Sequence, residues 1–182
     1  MPLPKELRFE YASAESREQY RVAATSPSKL AALQGLLARH RGDRLLVIGQ
    51  YLDQLDRVAA LLGAPLITGK TPNREREKLF EAFRSGELSV LIVSKVANFA
   101  IDLPEANVAI ELSGAFGSRQ EEAQRLGRIL RPKADGGQAY FYAVVSHDTI
   151  DQSYSDHRQL FLTEQGYRYA IEDFIPAAPN GT

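Results

Sequence analysis

Two arginines and a glutamine share one stripe of a predicted helix in the last third of the chain. Gln124, Arg128 and Arg131 lie at positions i, i+4 and i+7, a spacing that places their side chains on one face of a helix. Guanidinium groups are permanently charged and donate hydrogen bonds in a planar fork, so two of them on one stripe suit a multiply charged oxyanion. An amphipathic helix with a solvated basic face gives the same pattern, and this stretch alone does not decide between the two interpretations.

The residues around this stripe predict the limits of the helix and its buried face. Ser118 followed by Glu121 matches a capping box at the start, and Pro132 marks the end. A second stripe is apolar and would pack against a sheet; it consists of Leu126, Ile129 and Leu130. The sequence therefore predicts a helix over 118–133 that presents its arginines on the side away from the core.

The composition is that of a globular protein of ordinary domain size. The chain has 182 residues, of which 44% are hydrophobic and 25% charged, enough to bury a core. It has no cysteine and three scattered histidines, so a disulfide framework and a thiolate metal site are excluded and we expect no metal centre. No apolar run reaches membrane-spanning length, and the N-terminus lacks a signal-peptide pattern. Because the net charge is −1, nucleic acid could bind only to a locally basic face.

The order of predicted elements indicates an α/β fold. Apolar runs predict buried strands at 44–48, 65–68, 90–93, 108–112 and 139–145, and a last strand at 167–175. Further helices are predicted at 28–40, 51–62, 71–83 and 148–164. This alternation favours an open, mostly parallel sheet with helices on both faces. We expect one domain over 26–175, a leader or linker at 1–25 and a frayed tail at 176–182.

One segment partly matches a phosphate-binding loop. It ends in Gly69-Lys70-Thr71, but Ala64 stands where such a loop needs its first glycine, and Pro65 has no N–H to offer. The residues between read as a strand, and a plain turn before a capped helix is an alternative interpretation that needs no phosphate ligand. A self-sufficient P-loop NTPase that uses Lys70 remains a less favoured hypothesis.

The sequence from Gln124 to Arg131 matches motif VI of superfamily 2 helicases, whose form is QRxGRxxR. Over about 26–173 the chain resembles the second RecA-like lobe of the XPB family of DNA repair helicases. Residues 94–104, SKVANFAIDLP, resemble motif V in its XPB version, although residues 98–100 replace the Ala-Arg-Gly of DEAD-box relatives and carry no assigned role. Motif IVa is matched in spacing by Gly69, Asn73, Arg76, Phe83 and Gly86.

The resemblance implies a role for each matched residue. Arg128 and Arg131 would be arginine fingers that reach the γ-phosphate of ATP. Gln124 and Arg125 would help to form the ATP site, and Asp102 would hold the ribose. Contacts with the DNA backbone would come from motifs IVa and V, through Gly69, Thr71, Arg74, Arg76, Ser94 and Lys95.

Most parts of an ATPase are missing from the sequence. Phosphoryl transfer needs a phosphate cradle, a metal, an oriented water and a finger arginine, and this chain offers only the last. We therefore expect the second motor lobe of an ATP-dependent DNA helicase or translocase, moving 3′ to 5′ in DNA repair or promoter opening. ATP and Mg²⁺ would be held mainly by a first lobe that carries the Walker A and DExx motifs. The isolated chain is expected to be inactive.

The expected partners are DNA and that N-terminal helicase lobe, with a repair nuclease as a further candidate and no membrane. The expected location is the cytoplasm, at the nucleoid, in a prokaryote and the nucleus in a eukaryote. An alternative of a different class is a non-catalytic module that docks DNA or a partner. Restoration of DNA-stimulated ATPase by an added first lobe would separate these hypotheses.

Overall fold

Five strands and six helices make up the described part of the chain. The computed structural model describes residues 1–94, 103, 105–114, 138–164, 166 and 168–174, with the backbone alone at 158 and 161. The strands are β1 (Leu45–Gly49), β2 (Leu66–Ile67), β3 (Val90–Ser94), β4 (Val108–Glu111) and β5 (Tyr140–Ala143). The helices are α1 (Lys5–Ser13), α2 (Ser16–Ala24), α3 (Ser28–Arg39), α4 (Leu52–Leu62), α5 (Asn73–Ser85) and α6 (Ile150–Glu164).

The strands form one parallel sheet in the order β2-β3-β1-β4-β5. The central strand β1 is buried along its whole length, as expected when both faces of a parallel sheet are covered. Its side chains alternate between two cores. Leu45 and Val47 pack with residues of α3 and α4, whereas Leu46 and Ile48 pack with residues of α5. The predicted open parallel sheet with helices on both faces is therefore confirmed.

Glycines end two of the helices where the sequence predicts. Gly63 closes α4 with φ 59° and Gly86 closes α5 with φ 85°. Both lie in the left-handed region that glycine adopts at low cost. The backbone N–H of Gly63 donates to the carbonyl of Ala59, which satisfies one of the last carbonyls of α4. These stops fix the directions in which the chain re-enters the sheet at β2 and β3.

Residues 1–25, expected to be a leader or linker, form α1 and α2, and one face of α2 is buried. The hydroxyl of Ser146 donates to the carbonyl of Ala23 at 2.8 Å. The N–H of His147 donates to the carbonyl of Met1 at 2.7 Å. The segment is thus attached to the chain that enters α6, while the division into leader, domain and tail stays a prediction.

The predicted last strand at 167–175 is wrong for its described residues, because 168–174 form no strand. The branched residue Ile171 is 77% exposed, whereas Phe174 packs against α3. A Cβ added at Gly35 would lie 3.2 Å from the Phe174 ring, so the glycine allows this close approach. Arg39 of α3 pairs with Glu172 at 2.8 Å, which fixes the segment by side-chain contacts instead of a backbone ladder.

The predicted helix at 118–133 and the tail at 176–182 lie outside the described residues. Among the described helices, none has the length and apolar character needed to cross a membrane.

Candidate functional site

Two segments predicted to contact DNA meet at the carboxyl edge of the sheet. Ser94 is the last residue of β3 and lies opposite Gly49 of β1. Ile67, the last residue of β2, lies opposite Val93. The turn that follows β2 therefore emerges beside Ser94. In open parallel sheets this edge is where ligands commonly bind.

The turn over 68–71, which contains Gly69, is closed by its own hydroxyls and backbone. The N–H of Thr68 donates to Oγ1 of Thr71 at 2.9 Å, and the N–H of Lys70 donates to Oγ1 of Thr68 at 3.2 Å. The N–H of Thr71 donates to the carbonyl of Thr68 at 3.2 Å. These internal bonds occupy N–H groups that a phosphate-binding loop would offer to its ligand, so the geometry argues against a P-loop at Lys70.

Helix α5 begins directly after this turn and points its N-terminus to the same edge. Pro72 occupies the cap position, and no side chain caps the helix. The first N–H groups of a helix have no intrahelical partner and carry partial positive charge. The side chain of Arg74 lies in this first turn and is exposed, as is that of Lys70. Two cations and an uncapped helix start therefore face solvent together, with Glu75 of the same turn as the nearby acid.

Arg76, also predicted to contact DNA, is placed differently from Arg74. Its Nη2 lies 3.4 Å from the carbonyl oxygen of Thr68 and 3.3 Å from that of Thr71. The side chain is half-buried. Its guanidinium is thus directed at the turn and not simply into solvent.

A polar chain that was not predicted from the sequence connects the loops after β1 and β4. The N–H of Gln50 donates to Oγ of Ser113 at 2.7 Å, and that hydroxyl donates to Oε1 of Gln54 at 3.2 Å. Nε2 of Gln54 donates in turn to the carbonyl of Ala24 at 2.9 Å. The position of Gln50 just after a predicted strand was the only sequence signal for this chain of hydrogen bonds. Its partner Ser113 could not be predicted, because it is 63 residues away along the chain.

An aromatic pair adjoins this polar chain. The ring centroids of Tyr20 and Tyr51 lie 6.3 Å apart, and the guanidinium of Arg21 lies 6.0 Å from the Tyr51 centroid. Burial, the largest cause, raises the pKa of the Tyr51 phenol above its ordinary value of 10.0. The phenol is therefore neutral at physiological pH and can donate a hydrogen bond. Arg21 also pairs with Asp53 at 3.7 Å, but both side chains are about half exposed, so this ion pair contributes little.

The residues predicted for ATP lie outside the described part of the chain, as does one of those predicted for DNA. They are Asp102, Gln124, Arg125, Arg128 and Arg131 for ATP and Lys95 for DNA. Their roles stay predictions. The described residues bring together no group of three or more His, Cys, Asp or Glu side chains that could hold a metal ion.

Comparisons with known proteins give a consistent result. Residues 1–177 match the sequence model of a family described as ERCC3/RAD25/XPB C-terminal helicase. The chain is 62% identical over 171 residues to the DNA 3′-5′ helicase XPB of Kineococcus radiotolerans, covering 94% of this chain and 31% of that protein. It is 61% identical over 166 residues to the DNA 3′-5′ helicase XPB of Mycobacterium tuberculosis, covering 91% and 30%.

A more distant relative is the XPB/SSL2 helicase/translocase subunit of general transcription and DNA repair factor IIH of Saccharomyces cerevisiae. It is 39% identical over 176 residues, covering 93% of this chain and 21% of that protein. The chain thus spans less than a third of the length of these relatives. Among solved structures, the C-terminal domain of the DEAD-box protein Dbp5 shares the fold with a TM-score of 0.67 and 16% identity, covering 78% of this chain and 82% of that one.

Proposed function

Because this chain belongs to the ERCC3/RAD25/XPB family as its C-terminal helicase domain, we propose that it acts as the second motor lobe of an ATP-dependent DNA helicase or translocase. The relatives named DNA 3′-5′ helicase support 3′-to-5′ movement, and the yeast relative's name supports work in DNA repair or promoter opening. The lobe's own task is to grip DNA at one edge of its sheet and to complete an ATP site with its arginines.

The observation that carries this proposal is the meeting of two motif segments at the carboxyl edge. The turn after β2 emerges beside Ser94, where motif V begins, and the uncapped start of α5 directly follows that turn. A DNA backbone needs hydrogen-bond donors and cations on one continuous face. Gly69 and Thr71 supply the turn, while Lys70 and Arg74 supply exposed charge.

The arginine stripe would serve ATP held between two lobes. Arg128 and Arg131 would donate to the γ-phosphate as charge develops there, which lowers the barrier to transfer. Gln124 and Arg125 would complete the site, and Asp102 would accept a hydrogen bond from the ribose. Mg²⁺ would neutralise phosphate charge and would be held mainly by the first lobe.

DNA movement would follow from lobe closure and opening. Closure on ATP would move this lobe's DNA contacts one step along the strand, and opening after hydrolysis would release those contacts. Since the chain's net charge is −1, DNA binding would depend on a local basic strip that includes Lys95. Binding by the isolated lobe should therefore be weak, independent of sequence and strongly dependent on salt.

The proposed partners are DNA and a first helicase lobe with Walker A and DExx motifs. A repair nuclease is a further candidate partner. The proposed location is at the DNA, in the cytoplasm of a prokaryote or the nucleus of a eukaryote.

The test is to join the chain to the first lobe of a bacterial relative and to measure ATP hydrolysis with and without DNA. We expect DNA-stimulated hydrolysis from the joined lobes and none from either lobe alone. If the joined lobes bind DNA without hydrolysing ATP, the docking-module alternative is favoured. Hydrolysis by the chain alone that disappears on Lys70→Ala would instead favour the P-loop alternative.

A further inference from the structure

We propose that Arg76 is a positioning residue, which holds the turn over 68–71 in place against α5 so that exposed Lys70 and Arg74 can meet the same stretch of DNA backbone. The link between Arg76 and the turn stands on geometry alone. Its consequence for DNA rests on the proposed function.

Because of its position in α5, the Arg76 side chain needs hydrogen-bond acceptors outside the helix. It is the fourth residue of α5, where the partial positive charge of the helix start disfavours a cation. A guanidinium at this position is stabilised by hydrogen-bond acceptors that precede the first residue of the helix. The carbonyl oxygens of Thr68 and Thr71 are such acceptors, at 3.4 and 3.3 Å from the same Nη2. They are the first and last carbonyls of the turn.

Burial separates Arg76 from its neighbour Arg74. Arg76 is half-buried and its Nε is fully enclosed, with no hydrogen-bond partner among the described residues. Part of its fork is therefore closed to a phosphate. Arg74, two residues earlier, is exposed and free to turn to a phosphate. Two arginines of one helix thus have different surroundings and, we infer, different tasks.

The connection that Arg76 makes matters because few other hydrogen bonds among the described residues join the turn to the helix. Strand β2 has only two residues, so the turn is not held by a long ladder. The hydrogen bonds between Thr68 and Thr71, one to a hydroxyl and one to a carbonyl, are internal to the turn. The bond from the N–H of Arg76 to the carbonyl of Pro72 lies at the helix start and does not reach the turn. Loss of the guanidinium should let the turn shift against the helix.

The first measurement needs no DNA. Amide hydrogen exchange of the 182-residue chain is followed for Arg76→Gln and for the matched control Arg74→Gln. The amides of Thr68, Lys70 and Thr71 should exchange roughly tenfold faster in Arg76→Gln, because a turn that is no longer held against α5 by a charged donor opens its internal hydrogen bonds more often. They should keep wild-type rates in Arg74→Gln. Wild-type rates at these amides in a folded Arg76→Gln chain would overturn the proposal.

The second measurement is DNA binding as a function of salt. Arg74→Gln should weaken binding and reduce the slope of log affinity against log salt by about one, because one phosphate contact is lost. Arg76→Gln should weaken binding, and adding Lys70→Gln to it should cost less affinity than Lys70→Gln alone, because the shifted turn no longer presents Lys70 to a phosphate. Strictly additive losses would show Arg76 to be an independent phosphate ligand, against the proposal. If the wild-type chain binds no DNA in any salt, the proposed function fails, while the exchange rates still decide whether Arg76 holds the turn.

Discussion

Replacing Lys29 by methionine should strongly destabilise this domain. Lys29 lies on α3 and is fully buried. Its Nζ donates to Oδ2 of Asp151 and to the carbonyl of Leu112, both at 2.7 Å. Asp151 lies in the first turn of α6 and accepts a second bond, from the N–H of Ser146 at 3.0 Å. One buried ion pair thus joins α3, the end of β4 and the start of α6.

The expected loss of stability in Lys29→Met follows from the burial of its ion pair. Methionine fills much of the lysine's volume, so the main effect is a carboxylate left in the core without its cation. Removal of one partner of such a pair costs about 3–5 kcal/mol. For a domain of this size that corresponds to a fall in Tm of roughly 6–20 °C. The exposed pair of Arg39 and Glu172, with side chains 52% and 63% accessible, should contribute at most about 1 kcal/mol.

The assay is thermal and urea unfolding of Lys29→Met, Asp151→Asn and the double variant. The double variant should be more stable than the sum of the single losses predicts, because an amide at position 151 can still accept from Ser146 without carrying a charge. Lys78→Met, an exposed change on α5, is the control and should leave Tm nearly unchanged. A Lys29→Met chain that melts within about 2 °C of wild type, or strictly additive losses, would refute the reasoning.

Three further predictions concern the site. The 182-residue chain should hydrolyse no ATP above background in a phosphate-release assay, and Lys70→Ala should change nothing; a rate that Lys70→Ala removes would contradict this. Lys95→Ala should weaken DNA binding in fluorescence anisotropy titrations and lower the salt slope by about one at most, whereas an unchanged affinity would place the basic strip elsewhere. Gly49→Ala should cost about 1–3 kcal/mol in urea unfolding, because the added Cβ would lie 2.7 Å from Cδ2 of Leu55; a neutral effect would show that Leu55 moves freely.

The sheet and its helices could be predicted because local signals agree with the final fold. The apolar run at β1 is followed by Gly49, and the helical periods of α4 and α5 end at Gly63 and Gly86. In each case the hydrophobic pattern and the residue that ends the element predict the same boundary. Two motif segments could then be placed at one edge, because parallel strands all end on the same side.

Other features depend on contacts between distant parts of the chain. The hydrogen bond from the N–H of Gln50 to Ser113 joins residues 63 positions apart, and no local sequence pattern predicts it. The apolar residues of 168–174 resemble a strand, but Phe174 packs on the bare backbone of Gly35 instead. Arg74 and Arg76 differ in burial and in hydrogen-bond partner, and the tasks proposed for them rest on this difference, which the spacing of two arginines does not reveal.

The most direct test of the central claim is the kcat of DNA-stimulated ATP hydrolysis by a two-lobe enzyme that contains this chain. Arg128→Lys and Arg131→Lys keep the charge and lose the guanidinium fork. If these arginines are the fingers, kcat should fall far more than ground-state ATP binding, within the range of about 10³–10⁵ known for finger losses. Normal thermal melts would show that both variants are folded. Folded lysine variants that keep near-wild-type kcat would contradict the account and leave the stripe a solvated basic surface.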